Sequence, residues 1–182
     1  MDLTQLSCED FLSRLASKAP APGGGGAAAL VGAAGAALGN MVGSLTTGKK
    51  KYAAVEADIQ ALNARAEALR RRLEALVQAD AEAFAPLAAA YSLPKETPEQ
   101  QVHKAAVLAE ALDGACAVPL DIMDACCEGI RLAADYAAKG SVLAVSDAGC
   151  AALFCKAALQ PETVASRAAG QAEGKTVTEE EQ

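Results

Sequence analysis

At 182 residues and a formal net charge of −7, with 16 Lys and Arg against 23 Asp and Glu, the chain suffices for one domain with its own core. Its sign is wrong for electrostatic binding to nucleic acid. Hydrophobic residues make up 52% of it but aromatic residues only 3%, without a Trp, so the core must be built from Ala, Leu and Val by close helix packing. The six cysteines form no CxxC pair and His103 is the one histidine, so no metal site is predicted.

In chain order, Met1-Asp2-Leu3-Thr4 lacks the basic and apolar regions of a signal peptide, which predicts a cytoplasmic protein with reduced thiols. Ser7 and Asp10 form a capping-box-like start for a first helix over 8–17, with Phe11, Leu12 and Leu15 as its apolar stripe. A second helix is predicted from Gly26 to Leu45, closed by Gly48 at a basic turn. Its nearly uncharged length would suit a membrane span. Its Ala and Gly content and Asn40 fit a buried helix better, with Gly32, Ala36, Gly39 and Gly43 letting a neighbouring helix come close.

From Tyr52 to Ala90 apolar residues recur at helical spacing, predicting one very long helix with Glu67, Arg70, Arg71, Arg72 and Glu74 on its solvated face. Thr97, Pro98 and Gln100 mark the next start, as N-cap, first-turn proline and box partner. That helix runs to about Ala117, and Pro119 either kinks it or opens a fifth that reaches Lys139 and stops at Gly140. Ser146-Asp147 offers a cap for a helix over 148–159. The polar, acidic stretch 170–182 is predicted disordered. No alternating strand pattern of useful length is found, so the fold class is all-α, an up-and-down type helical bundle, with 1–169 as a single domain.

Pro20-Ala21-Pro22 followed by Gly23-Gly24-Gly25-Gly26 is the chain's most unusual stretch. Ordering four glycines costs more backbone entropy than any other tetrapeptide, which suggests that bare backbone is needed at a helix start, where free N–H groups can meet a ligand. Gly43 to Lys49 matches the GxxxxGK core of a phosphate-binding loop, but Lys50 stands where Ser or Thr would bind magnesium and a helix precedes it instead of a strand.

Phe11…Leu15-Ala16-Ser17…Pro20…Pro22-Gly23-Gly24-Gly25, then Ala29-Leu30, Gly32, Leu38, Met41-Val42, Leu45-Thr46 and Gly48 to Tyr52, resemble the cyclodeaminase/cyclohydrolase family of folate enzymes. Asp80 to Phe84, Ala90 to Lys95, Val118-Pro119-Leu120 and Val145-Ser146-Asp147 continue the resemblance in family order to about residue 160. It implies an all-helical homodimer that binds a reduced folate, with or without a polyglutamate tail. The reaction implied is hydrolysis of 5,10-methenyltetrahydrofolate to 10-formyltetrahydrofolate. The alternative is closure of 5-formiminotetrahydrofolate to the methenyl form with loss of ammonia; a catalytically silent folate-binding or scaffold dimer is a third reading. Both reactions are proton transfers at an amidine-like carbon, so no cofactor beyond the folate is expected.

Within this resemblance, Asp80 is the first candidate for the acid/base, because a carboxylate among small apolar residues has its pKa raised by desolvation. Asp147 is the second, with Ser146 orienting substrate. Pro22, Gly23, Gly24, Gly25 and Gly26 are expected to wall the pocket, Lys49 and Lys50 to bind glutamate carboxylates, and Tyr52 and Tyr91 to offer flat surfaces to the pterin. His103 is read as a surface residue and the cysteines as small buried hydrophobes. Three departures from the family pattern stand out: Gly26 replaces Ser, Gly140-Ser141 replaces Gly-Asn, and Gln160-Pro161-Glu162 and a polar tail follow Leu159 instead of an apolar helix.

Overall fold

The computed structural model describes residues 2–160 and contains, among them, helices and turns with no strand. Five α-helices follow one another: α1 (Cys8–Leu15), α2 (Gly24–Ser44), α3 (Glu56–Tyr91), α4 (Pro98–Lys139) and α5, helical over 145–160. Short 3-10 turns at Leu3–Gln5, Lys50–Val55 and Val142–Ala144 connect or precede them. The expected disordered stretch 170–182 lies outside the described residues.

The start signals act as the sequence predicts. Ser7 accepts the Asp10 amide at 3.0 Å to cap α1. Thr97 accepts the Gln100 amide at 3.2 Å while the Gln100 side chain accepts the Thr97 amide at 3.2 Å, a complete capping box. Two boundaries differ. Pro119 does not divide α4, which runs unbroken for 42 residues, so the bundle has two very long helices instead of one. The final helix is entered through the Val142–Ala144 turn preceded by Ser141, which places Ser146 and Asp147 inside α5's first turn and not at its cap.

Side-chain pairings fix the directions. Arg65 meets Glu128, Arg72 meets Asp121 and Asp124, and Lys139 meets Asp58, so α3 and α4 are antiparallel. These pairs are exposed and contribute little to stability; their role is register. Gly26 lies by Asp80 and Gly43 by Asn63, which makes α2 antiparallel to α3. Gly32 lies by Cys126 and Gly39 by Tyr136, so α2 and α4 are parallel, and α5 returns with Cys155 against Gly35 and Gly129. The result is up-down-up-down.

The core is filled mainly by Ala, Leu, Ile and Val from α2, α3, α4 and α5, with Ile59, Leu73, Val77, Ile122 and Tyr136 among its largest buried side chains. Small residues on α2 make this possible. A Cβ on Gly43 would fall 1.8 Å from Asn63 Oδ1, and one on Gly39 3.1 Å from the Tyr136 ring. Gly24–Ser44 and Val142–Gln160 are each long and apolar enough to cross a membrane by length and composition alone. Half of the first is buried within the bundle, as expected of a central helix. Of the cysteines only Cys126 and Cys155 are buried; Cys8 and Cys150 are exposed and Cys116 and Cys127 half-buried, so the expectation of six core thiols holds for two. His103 is exposed as predicted.

Because α3 and α4 are much longer than the 21-residue α2, they continue past its N-terminus as a two-helix overhang. The junction between that overhang and the start of α2 is where the glycine run sits.

Candidate active site

The Pro20–Gly23 turn delivers the chain into α2 with Gly23 as N-cap, through a cis Ala21–Pro22 peptide. Of the three glycines that the sequence placed before the helix, Gly24 and Gly25 thus become helical, with α2 starting at Gly24. Arg14 of α1 donates from Nε to the Ala21 carbonyl at 2.8 Å and ties the turn to the preceding helix. Pro22 is buried behind it.

Asp80 approaches this helix start from α3. Its Oδ2 accepts the Gly26 amide at 2.8 Å, a contact between residues 54 apart in sequence. A helix N-terminus leaves its first N–H groups without partners inside the helix, and Asp80 takes one of them; those of Gly24 and Gly25 stay in the first turn beside it. Burial pushes the Asp80 carboxyl above its usual range, and the Gly26 hydrogen bond opposes this without cancelling it. The other oxygen, Oδ1, lies 2.2 Å from where a Cβ on Gly25 would be. Only glycine at 25 leaves room for this carboxylate.

A cavity of about 260 Å³ opens over these groups, lined by Pro20, Ala21, Gly23, Gly24, Gly25, Asp80, Ala81 and Phe84. Its walls are apolar and bare backbone, and Asp80 is its one ionisable group. A larger groove of about 370 Å³ lies in the seam of the overhang, where the charged lining residue is Glu110 and no backbone amide of a helix start is among the lining. The smaller cavity has the chemistry.

The predicted residues fall into two groups. Gly23, Gly24, Gly25 and Asp80 meet in one cavity, with Pro22 and Gly26 supporting it. Lys49, Lys50, Tyr52, Ser146 and Asp147 do not join them. Lys49, Lys50 and Tyr52 follow the C-terminal end of α2, about 30 Å from its start by the rise of a 21-residue helix, and Ser146 and Asp147 lie in the first turn of α5, next to the Val142–Ala144 turn that Tyr52 holds. There the Tyr52 hydroxyl accepts the Val142 amide at 3.2 Å, and this bond, with Ser141 and Lys51 nearby, lowers the Tyr52 pKa. Lys49, Lys50 and Ser146 are exposed and Asp147 half-buried. Tyr91 ends α3, 58% exposed, and lines no described cavity near Asp80.

Two residues of the cavity neighbourhood were missed by the sequence reading. Phe84 was read as one of the apolar positions of a long helix, although its spacing of four from Asp80 puts both on one face. Arg14 carried no signal, since its partner is a backbone carbonyl.

Comparison with known proteins bears on the family and the fold. The family model described as formiminotransferase-cyclodeaminase matches residues 7–165. A methenyltetrahydrofolate cyclohydrolase of Methylorubrum extorquens is 50% identical over 152 residues, covering 84% of this chain and 73% of that protein. The mouse formimidoyltransferase-cyclodeaminase is 39% identical over 122 residues, 67% of this chain but only 23% of that much longer protein. The crystal structure of formiminotetrahydrofolate cyclodeaminase from Thermotoga maritima superposes with a TM-score of 0.81 at 30% identity, over 93% of this chain and 80% of that one. The all-helical bundle and the order of its motifs are those of the formiminotransferase-cyclodeaminase family, to which this chain belongs.

Proposed function

We propose that the protein is a methenyltetrahydrofolate cyclohydrolase, converting 5,10-methenyltetrahydrofolate to 10-formyltetrahydrofolate in one-carbon metabolism. The observation that carries this reading is Asp80, a partly desolvated carboxyl with a raised pKa, held at a helix start inside a cavity of otherwise apolar and backbone lining. The likeness to the Methylorubrum cyclohydrolase over most of both chains supports water, and not ammonia, as the partner in the chemistry.

In this reading Asp80 takes a proton from water as the oxygen adds to the bridging carbon between N5 and N10. The neutral adduct collapses as the C–N5 bond breaks and Asp80 returns that proton to N5. The remaining hydroxyl proton leaves to solvent, giving the formyl group on N10 and one net proton. A carboxyl with a raised pKa suits both steps, since it must accept and then donate near neutral pH. Addition of water, cleavage of the C–N5 bond and the accompanying proton transfers change no oxidation state, so no cofactor beyond the folate is proposed. A cytoplasmic location follows the same reading.

The far cluster enters through a homodimer. α2 and its C-cap expose Val31, Met41 and Leu45, and α5 exposes Leu153 and Phe154, which supports an apolar face for a second copy. A two-fold pairing with the α2 helices antiparallel would bring Lys49, Lys50, Tyr52, Ser146 and Asp147 of one chain toward Asp80 of the other. Asp147 would then share proton transfer, with Ser146 beside it, and the lysines would meet the carboxylates of a polyglutamate tail.

The test is incubation of the purified protein with 5,10-methenyltetrahydrofolate while its near-ultraviolet absorbance is followed. Loss of absorbance far above the uncatalysed rate is expected. Gain of absorbance from 5-formiminotetrahydrofolate, with no acceleration of the first reaction, would assign cyclodeaminase instead.

A further inference from the structure

Aromatic side chains are scarce here, with three Phe, three Tyr and no Trp, so where each one lies is informative. Phe11 and Tyr136 are core, 5% and 1% exposed, and the Tyr136 hydroxyl is engaged with Asn63 at 2.8 Å. Tyr52 holds Val142 at the far end of the bundle. Tyr91 stands at the end of α3, and Phe154 lies on α5 against Gly35. Phe84 is the aromatic residue that lines the Asp80 cavity, and it is 40% exposed.

Asp80 and Phe84 are one helical turn apart on the same face of α3, so a carboxylate and an aromatic ring border one cavity of about 260 Å³. That volume is below what a drug-sized ligand fills, so the cavity takes one ring system and not a whole folate. The methenyl bridge of the proposed substrate is a planar amidinium whose positive charge is spread over two nitrogens and the carbon between them. Such a cation is attracted to the face of an aromatic ring as well as to a carboxylate. The 10-formyl product has lost both the charge and the planar bridge.

Building on the cyclohydrolase reading, we infer that Phe84 is a substrate-binding residue whose ring stacks on the amidinium face of the methenyl folate, selecting the cationic substrate over the neutral product. Its place on the rigid long helix, one turn from Asp80, puts the bridging carbon beside the carboxylate that handles the proton. Tyr52 and Tyr91, the rings the sequence favoured for this task, lie elsewhere.

The experiment compares Phe84→Ala, Phe84→Leu and Phe84→Tyr with the wild-type chain, measuring KM and kcat for 5,10-methenyltetrahydrofolate and the inhibition constant of 10-formyltetrahydrofolate. Circular dichroism confirms that each variant is folded. Expected are a KM raised at least tenfold in Phe84→Ala and about fivefold or more in Phe84→Leu, product inhibition changed less than threefold, and Phe84→Tyr within threefold of wild type throughout. Phe84→Leu matching wild type would overturn the stacking role, because an apolar side chain would then suffice. Equal weakening of substrate and product would also overturn it. A wild-type protein without cyclohydrolase activity would instead sink the functional reading itself, and the inference with it.

Discussion

Asp80 Oδ2 accepts the Gly26 amide at 2.8 Å, and Oδ1 of the same carboxylate occupies the space that a Cβ on Gly25 would need. One glycine therefore supplies a donor and its neighbour supplies room. The pair ties α3 to the first turn of α2 and fixes the position of the carboxyl in the cavity.

Asp80→Asn keeps an acceptor for Gly26 and removes the titrating group. Turnover of 5,10-methenyltetrahydrofolate is expected to fall at least a hundredfold, while folate binding measured by calorimetry stays within a few-fold. The same variant reports on stability. A carboxyl with its pKa raised in the folded state binds a proton more readily there than in the unfolded chain, so its contribution is favourable at low pH and is lost as pH rises from the unfolded value through the folded one. Wild-type Tm should therefore carry a component that declines with pH above the ordinary carboxylate range, and Asp80→Asn should lack it. Identical pH profiles for the two proteins would contradict this.

Gly25→Ala and Gly26→Ser make a contrasting pair. A Cβ at Gly25 meets Asp80 Oδ1 at 2.2 Å, whereas one at Gly26 meets Val77 O at 3.4 Å, an ordinary contact. Gly25→Ala must displace the carboxylate, at a cost of about 1–3 kcal/mol in stability and at least a tenfold loss of kcat. Gly26→Ser restores the residue that the family pattern carries and should leave kcat within about threefold. Steady-state kinetics and thermal melts on both variants decide the matter; equal effects would mean that the space at Gly25 is not what matters.

Thr46 is completely buried; its hydroxyl donates to Val42 O at 2.7 Å and accepts the Ser141 amide at 2.8 Å, joining the end of α2 to the turn after α4. Thr46→Val keeps the shape and orphans the Ser141 N–H. A loss of about 1–3 kcal/mol is expected, or a Tm lower by roughly 2–10 °C for a chain of this size. Denaturant melts with an unchanged slope would confirm a loss of stability and not of compactness.

If the far cluster acts across a dimer, Asp80→Asn and Asp147→Asn chains should rescue each other. Each variant alone is expected to be nearly inactive. Unfolded together and refolded as a mixture, they should recover up to about a quarter of wild-type activity, since half of the dimers are mixed and each mixed dimer holds one intact site. No recovery, with mixed dimers demonstrated by mass spectrometry, would remove Asp147 from a shared site.

What the sequence by itself determined was local. Helix starts were readable because Ser7 and the Thr97, Pro98, Gln100 set satisfy orphan amides a few residues away, and helix faces because apolar spacing repeats within one element. That bare backbone is needed somewhere in Gly23 to Gly26 was readable too, but only the structure shows that the need falls on Gly25, since an added Cβ meets nothing within 4 Å at Gly23 or Gly24 and makes an ordinary contact at Gly26. Pro119 shows the limit: the same residue can end a helix or ride inside one, and packing of α4 along α3 decides for continuity. Only the tertiary structure decided which candidates share a cavity. Family order put Asp80, Lys49, Tyr52 and Asp147 in one list, yet an antiparallel bundle places residues at the two ends of a rigid 21-residue helix about 30 Å apart however near they stand in sequence. The same geometry brought Phe84, given no site role in the sequence reading, to the side of Asp80.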